Sequence, residues 1–138
     1  MSARLPDLLL VEPEALLRRT IALTARSAHL ASVTEAASID AARSLLGTRR
    51  FDGAFIALDL DASHADGGPL GLLELLRDAR TGSDTAMPVA VMLERCDAGL
   101  LASLKQFGVS KVILKPFRAR IVIDAIAELG RPVRTAQG

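Results

Sequence analysis

The sequence contains no tryptophan and no tyrosine, and four phenylalanines are its only Phe, Tyr or Trp residues. Such a chain offers few flat side chains on which a flavin or a nucleobase could stack. It also has one cysteine, Cys96, which excludes an internal disulfide and fits a reducing cytoplasm. Cys96 has no CxxC partner and no histidine nearby in sequence, so we interpret it as a packed or incidental side chain.

Long apolar segments and a strong charge of either sign are absent as well. No stretch approaches the roughly twenty apolar residues that cross a bilayer, and the N-terminal MSARLPDLLLVEPE lacks the uninterrupted apolar segment of a signal peptide. Seventeen basic residues against sixteen acidic ones leave a formal net charge of +1. This balance gives no reason to expect nucleic acid or a membrane as a partner. We expect a soluble, cytoplasmic protein.

The chain has 138 residues, of which 50% are hydrophobic. These values are typical of one globular domain with its own core. We place this domain at residues 1–130. Residues 131–138 have no apolar pattern and are predicted to be a flexible tail. The initial methionine favours an N-terminal position, either in a complete protein or in the first part of a larger one.

Short apolar runs alternate with helical patterns along the chain. The runs lie at 7–12, 31–36, 54–60, 88–93 and 111–115, and three of them are nearly continuous, as in strands buried on both faces. Residues that commonly begin, cap or end helices flank the helical patterns. We predict Pro13 as a first helical residue, Ser38 and Asp97 as N-caps, and Gly47, Gly108 and Gly130 as the residues that end helices. The alternation predicts an α/β fold with a doubly wound, five-stranded parallel sheet.

The carboxyl ends of parallel strands are where such folds gather ligands and chemistry. The predicted ends carry Glu12, the segment Ala57 to Asp61, the segment Leu93 to Arg95, and Lys115. Lys115 is one of only three lysines in the chain. The function therefore depends on what these positions can do together.

Three segments carry a resemblance to a known family. VILKPF (112–117) resembles the fifth strand of the receiver domain of two-component response regulators, followed by its lysine and a proline after a cis peptide bond. FDGAFIALDL (51–60) resembles the third strand, and MPVAVML (87–93) the fourth. The resemblance extends from about Asp7 to Leu129. It implies a (βα)5, flavodoxin-like topology with strand order 2-1-3-4-5 and a role in bacterial phosphorelay signal transduction.

Receiver domains accept a phosphoryl group from a histidine kinase on an aspartate at the end of the third strand. Two acids that end the first strand hold a divalent cation, usually Mg²⁺. That cation and a lysine neutralise the phosphoryl oxygens. A hydroxyl on the fourth strand contacts the phosphoryl group, and an aromatic residue on the fifth strand responds to it.

Only part of this set is present when the family's positions are carried over one by one. Glu12 matches the first of the family's two acids, and Lys115 matches its lysine. The departures fall at the second acid, the acceptor, the hydroxyl and the switch aromatic, which here are Pro13, Ala57, Leu93 and Val112. The four departures are mutually consistent, so the resemblance implies a degenerate pseudo-receiver. Its function would be phosphorylation-independent protein binding, with no enzymatic activity and no cofactor, and we expect Lys115 to pair with Glu12 or Asp59.

An alternative register makes Asp59 the acceptor, with Mg²⁺ bound by Glu12 and Asp61. It requires two extra residues in a strand whose apolar pattern otherwise matches without gaps, so we prefer Ala57 as the acceptor position. His64, in the loop 61–71, lacks a nearby metal-ligating partner and is predicted to be an exposed loop residue. A nucleotide-binding flavodoxin-like domain is a further alternative, but the chain has neither GxGxxG nor a Walker-type loop.

The resemblance also implies where partners bind. Receiver domains use the fourth helix, the fifth strand and the fifth helix for dimers and outputs. We therefore expect a signalling protein partner or a homodimer at this face. Its predicted exposed positions are Lys105, Gln106, Lys111, Arg118 and Arg120.

Overall fold

The computed structural model describes residues 4–61, 70–78 and 86–129, in which strands and helices alternate along the chain. The elements are β1 (Asp7–Val11), α1 (Ala15–Ser27), β2 (Ser32–Ala36), α2 (Ile39–Thr48), β3 (Gly53–Ala57), α3 (Gly71–Leu76), β4 (Val89–Leu93), α4 (Ala98–Gln106), β5 (Lys111–Leu114) and α5 (Ala119–Leu129). None of the helices in these ranges has the length and apolar character that a bilayer crossing requires.

The strands form one parallel sheet in the order β2-β1-β3-β4-β5. The predicted fold class and strand order are confirmed. The order reverses between β1 and β3, so the crevice typical of doubly wound folds lies beyond the ends of these two strands. All carboxyl ends meet at the same edge of the sheet because every pairing is parallel.

Helices cover both faces of the sheet. The apolar side chains of α2, α3 and α4 pack on one face, with Leu46, Leu72 and Leu104 in a layer that includes Ile56 of β3. Those of α1 and α5 pack on the other face. Every residue of β3 and β4 is buried, which explains why these strands read as continuous apolar runs rather than alternating ones.

Two of the predicted helix caps are confirmed. The Ser38 hydroxyl accepts a hydrogen bond from the amide of Ala41 at 3.0 Å, and the Asp97 carboxylate accepts one from the amide of Leu100 at 2.8 Å. Gly108 follows α4 with a φ of +71°, the left-handed conformation that favours glycine at a helix end.

Other predicted boundaries are wrong by one to three residues. Pro13 is not the first residue of α1, because the helix begins at Ala15 and Glu14 is its extended N-cap. Gly47 does not end α2, since the helix continues to Thr48 and the Arg49 amide still donates to the Leu45 carbonyl at 2.9 Å. The predicted ends of strands at 12, 60 and 115 are also late by one to three residues. Gly130, His64 and the tail 131–138 lie outside the described residues.

Arg77 joins three segments at the amino-terminal edge of the sheet, opposite the carboxyl ends of the strands. Its guanidinium donates hydrogen bonds to the carbonyls of Phe107 and Met87, each at 2.7 Å, and to that of Gly108 at 3.1 Å. The carbonyls of Phe107 and Gly108 belong to the end of α4, and that of Met87 precedes β4. One side chain thus supplies donors to carbonyls that the helix end leaves without intrahelical partners.

Two glycines of the chain provide a matched test of this packing. A Cβ at Gly53 would lie 2.9 Å from Leu8 Cδ2 and 3.2 Å from the Pro88 carbonyl oxygen, whereas a Cβ at Gly47 meets nothing within 4 Å. We expect Gly53→Ala to lower the free energy of unfolding by about 1–3 kcal/mol through overpacking. Gly47→Ala should raise it by about 0.5–1 kcal/mol through helix propensity. Urea denaturation measures both, and equal effects of the same sign would contradict the described approach of β3 to β1.

Candidate functional site

Glu12 lies directly after β1 and is the one polar or charged residue that is buried in the described part of the chain, at 2% exposure. One carboxylate oxygen, Oε1, lies 2.6 Å from the Lys115 ammonium nitrogen. The other, Oε2, accepts a hydrogen bond from the Glu14 backbone amide at 3.0 Å, just ahead of α1. A buried carboxylate needs such partners, and both oxygens of Glu12 have one.

Lys115 follows β5 at the far side of the sheet, where its backbone amide donates to the Leu93 carbonyl at 2.8 Å. Its peptide bond to Pro116 is cis, as the resemblance implied. Strands β3 and β4 separate β5 from β1, a span of about 14 Å at ordinary strand spacing. The long lysine and glutamate side chains bridge that span, past the small side chain at the end of β3.

The three positions that the resemblance assigns to accepting and sensing a phosphoryl group are all apolar. Ala57 is the last residue of β3 and is 8% exposed, and Leu93 is the last residue of β4 and is 1% exposed. Val112 is partly buried and packs against the core layer that contains Leu93. None of these side chains has an oxygen that could accept a phosphoryl group or donate a hydrogen bond to one.

Asp59 and Asp61 are both exposed and lie beyond the end of β3. Asp59 Oδ1 accepts the amide of Asp61 at 3.0 Å, a local turn that leads the chain away from the strand direction and explains why β3 is shorter than predicted. Asp61 Oδ1 pairs with the Arg95 guanidinium at 3.1 Å. The acidic side chains here are thus occupied by neighbours close in space or in sequence.

The residues present do not fit the divalent cation that the resemblance implies. Mg²⁺ requires several oxygen ligands in near-octahedral geometry. Both oxygens of Glu12 are engaged, and Pro13 provides none. Within residues 4–61, 70–78 and 86–129, no three His, Cys, Asp or Glu side chains lie together where they could hold a metal ion. The alternative ligand set of Glu12, Asp59 and Asp61 is therefore not assembled.

Arg18 is a member of the site that the sequence reading missed. Its guanidinium donates to the Glu12 backbone carbonyl at 2.8 Å and to Glu35 Oε1 at 3.3 Å. Arg19 reaches the other oxygen of Glu35 at 3.7 Å. These contacts hold the segment after β1 against β2. The available signal was the position of an arginine in the first turns of the helix that follows an acidic strand end.

A cleft of about 600 Å³ opens at the same edge of the sheet. It lies between the beginning of α1 and the segments that follow β4 and β5. Its lining consists of Glu14, Leu17, Glu94, Lys115, Pro116 and Phe117. Glu94, Pro116 and Phe117 lie in segments that the sequence predicts to be a strand end or part of the family motif, but the sequence predicts no role for these three residues.

The buried ion pair provides a stability test with a matched control. Lys115→Met leaves the buried Glu12 carboxylate without its cation, so we expect the free energy of unfolding to fall by about 2–4 kcal/mol. Lys111→Met removes the other paired lysine of the same segment, whose contact with Glu128 at 3.4 Å is exposed. That change should cost less than about 1 kcal/mol. Chemical denaturation at neutral pH measures both variants.

The double variant Glu12→Gln/Lys115→Met isolates the interaction itself. Because it removes both charges, it should be more stable than the Lys115→Met single variant. A double variant no more stable than Lys115→Met, or equal losses for the two lysines, would show that the Glu12–Lys115 contact does not hold the strand ends together.

Comparison with known proteins gives a consistent result at the level of the fold. Neither a protein-family model nor a curated protein matches the chain. The non-phosphorylated HemR receiver domain from Leptospira biflexa superposes with a TM-score of 0.78 at 22% identity, covering 94% of this chain and 98% of that one. A response regulator receiver protein from Pseudomonas putida gives 0.75 at 20% identity, with coverages of 93% and 99%. A CheY-like receiver domain from Methanospirillum hungatei JF-1 gives 0.74 at 18% identity, with coverages of 90% and 92%. The chain therefore has the flavodoxin-like fold of response-regulator receiver domains.

Proposed function

We propose that this chain is a receiver-fold interaction module of signal transduction that works by binding another protein and does not accept a phosphoryl group. In this proposal it is not an enzyme and needs no cofactor. The observation that carries the proposal is the end of β3, where the last residue is Ala57, the position that the resemblance assigns to the acceptor carboxylate. The nearby Lys115 ammonium is bound to Glu12 at 2.6 Å.

Phosphoryl transfer to an aspartate needs a carboxylate nucleophile, a cation that neutralises the phosphoryl oxygens, and donors that hold them. Ala57 supplies no nucleophile. Lys115 is paired with Glu12, so its charge is already compensated. Leu93 supplies no hydroxyl, and Val112 has no aromatic ring that could rotate in response. Each part of the reaction is missing or occupied.

The second candidate is an active acceptor that uses Asp59, with Mg²⁺ bound by Glu12 and Asp61. The contacts around these residues disfavour it. Asp59 Oδ1 is used by the Asp61 amide, Asp61 Oδ1 by Arg95, and Glu12 Oε1 by Lys115. A cation at this place would have to compete with an ammonium and a guanidinium for its ligands.

The proposed binding surface is the face formed by α4, β5 and α5, named here the α4–β5–α5 face. Three apolar side chains are exposed on its elements: Leu101 at 37%, Leu114 at 52% and Ile121 at 44%. β5 is an edge strand of the sheet. Apolar side chains surrounded by charged ones are typical of a protein-binding surface. Of the five charged and polar positions predicted to be exposed, the structure exposes Lys105, Gln106, Arg118 and Arg120. The prediction is wrong for Lys111, which is half-buried because it pairs with Glu128.

Labelling with a small phosphodonor tests the central proposal. Wild-type protein incubated with radiolabelled acetyl phosphate and Mg²⁺ should stay unlabelled, because no acceptor carboxylate stands at the end of β3. The double variant Pro13→Asp/Ala57→Asp restores the acceptor and the second acid, and serves as the matched control that should gain a hydroxylamine-sensitive label. Label on the wild-type protein that disappears in Asp59→Asn would overturn the proposal in favour of the second candidate.

Self-association tests the α4–β5–α5 face. We expect the wild-type chain to dimerise reversibly in sedimentation velocity, because its exposed apolar side chains lose contact with water in a dimer. Leu114→Arg should weaken dimerisation by about ten-fold or more, the effect of charging an apolar contact. Leu16→Arg is the control, since Leu16 is 76% exposed on α1, outside this face. Equal weakening by both variants would place the contact elsewhere, and a strictly monomeric wild type would leave the face to a different protein.

A further inference from the structure

The cleft at the carboxyl edge of the sheet has an apolar wall. Leu17 of α1 and Phe117, two residues after Lys115, are partly exposed, and both pack against the core layer beneath α1 and α5. Pro116 lies beside them and is exposed. The remaining surface of these three side chains lines a space of about 600 Å³, which is within the size range of ligand pockets.

The charged side chains of the same cleft leave it negative. Glu14 and Glu94 are exposed on its lining, and neither carboxylate has a hydrogen bond or ion pair with any residue in the described ranges. Lys115 also lines the cleft, but its ammonium is 2.6 Å from the Glu12 carboxylate, so its charge is compensated. An anion would therefore meet two uncompensated carboxylates and no free cation in this lining.

We propose that this cleft binds an arginine side chain that a partner protein presents next to an apolar residue. The inference rests on the proposed function, because it names the chemistry of the protein partner. A planar guanidinium can donate to a carboxylate and place its flat face against an aromatic ring. In this cleft Glu14 and Glu94 provide the acceptors, and Phe117 provides the ring. The neighbouring apolar residue would contact Leu17 and Pro116.

Two features distinguish this cleft from an ordinary acidic surface. The acids line the same cleft as three apolar side chains, so a guanidinium bound there would lose part of its contact with water and its ion pair would be screened less than one in open solvent. The Lys115 ammonium at this edge is also already paired with Glu12 inside the chain. The edge of the sheet that receives an anion in phosphorylated receiver domains is thus left with the opposite charge preference.

The test uses short peptides as probes and the full chain as the target. ¹⁵N-labelled wild-type protein is titrated with acetyl-Leu-Arg-amide, with acetyl-Leu-citrulline-amide and with acetyl-Leu-Glu-amide at low ionic strength. We expect saturable shifts at the amides of Glu14, Leu17, Glu94 and Phe117 with the arginine peptide. Citrulline has nearly the shape of arginine without its charge, so its dissociation constant should be at least about five-fold higher. The glutamate peptide should give no saturable shift.

The variant Glu14→Gln/Glu94→Gln removes both carboxylates with little change of shape and should weaken the arginine peptide by about five-fold or more. The matched control, Asp40→Asn/Glu74→Gln, removes two exposed acids on α2 and α3, away from the cleft, and should bind like the wild type. Thermal unfolding of both variants verifies that each is folded.

Three outcomes would overturn the inference. The arginine and citrulline peptides could bind equally well, the shifts could map outside the cleft, or the cleft variant could bind the arginine peptide as tightly as the control variant. The titration contains neither phosphodonor nor metal ion. A negative result here therefore leaves the labelling test of the proposed function unaffected, and labelling of the wild type would be seen whether or not the peptide binds.

Discussion

The ion pair between Glu12 and Lys115 is the interaction on which the rest of the site depends. It joins the ends of β1 and β5 across the two strands between them, with 2.6 Å between the carboxylate oxygen and the ammonium nitrogen. Glu12 is nearly inaccessible to water, and a charge in that position requires an opposite one. Lys115 supplies this opposite charge from within the chain.

The residues around this ion pair are either apolar or engaged in local structural contacts. With Ala57 at the end of β3 and Leu93 at the end of β4, the apolar core reaches the edge of the sheet. The remaining polar groups serve structure: Arg18 holds the Glu12 carbonyl, and Asp59 closes a turn. The surfaces proposed for a partner are the α4–β5–α5 face and the cleft beside Phe117. Neither surface depends on phosphoryl chemistry.

Periodicity in the sequence predicted the elements well because the buried strands are continuous apolar runs and the helices carry capping residues such as Ser38 and Asp97. Boundaries were less accurate, because they depend on local hydrogen bonds. Pro13 looked like a first helical residue, but the Glu12 carboxylate accepts the Glu14 amide and keeps that segment extended before α1. Arg77 and Arg18 have no periodic signature at all, since their partners are backbone carbonyls distant in sequence.

The sequence by itself determined the order of the elements, the parallel sheet, and the residue types at the strand ends, because these follow from local patterning and from residues whose side chains lack the required atoms. It left open whether Lys115 pairs with Glu12 or with Asp59. Only the tertiary structure decided for Glu12, by bringing together residues 103 positions apart and turning Asp59 into a local contact with the Asp61 amide. The cleft shared by Glu14, Glu94 and Phe117 also exists only in the folded chain, because its walls come from segments that follow three different strands.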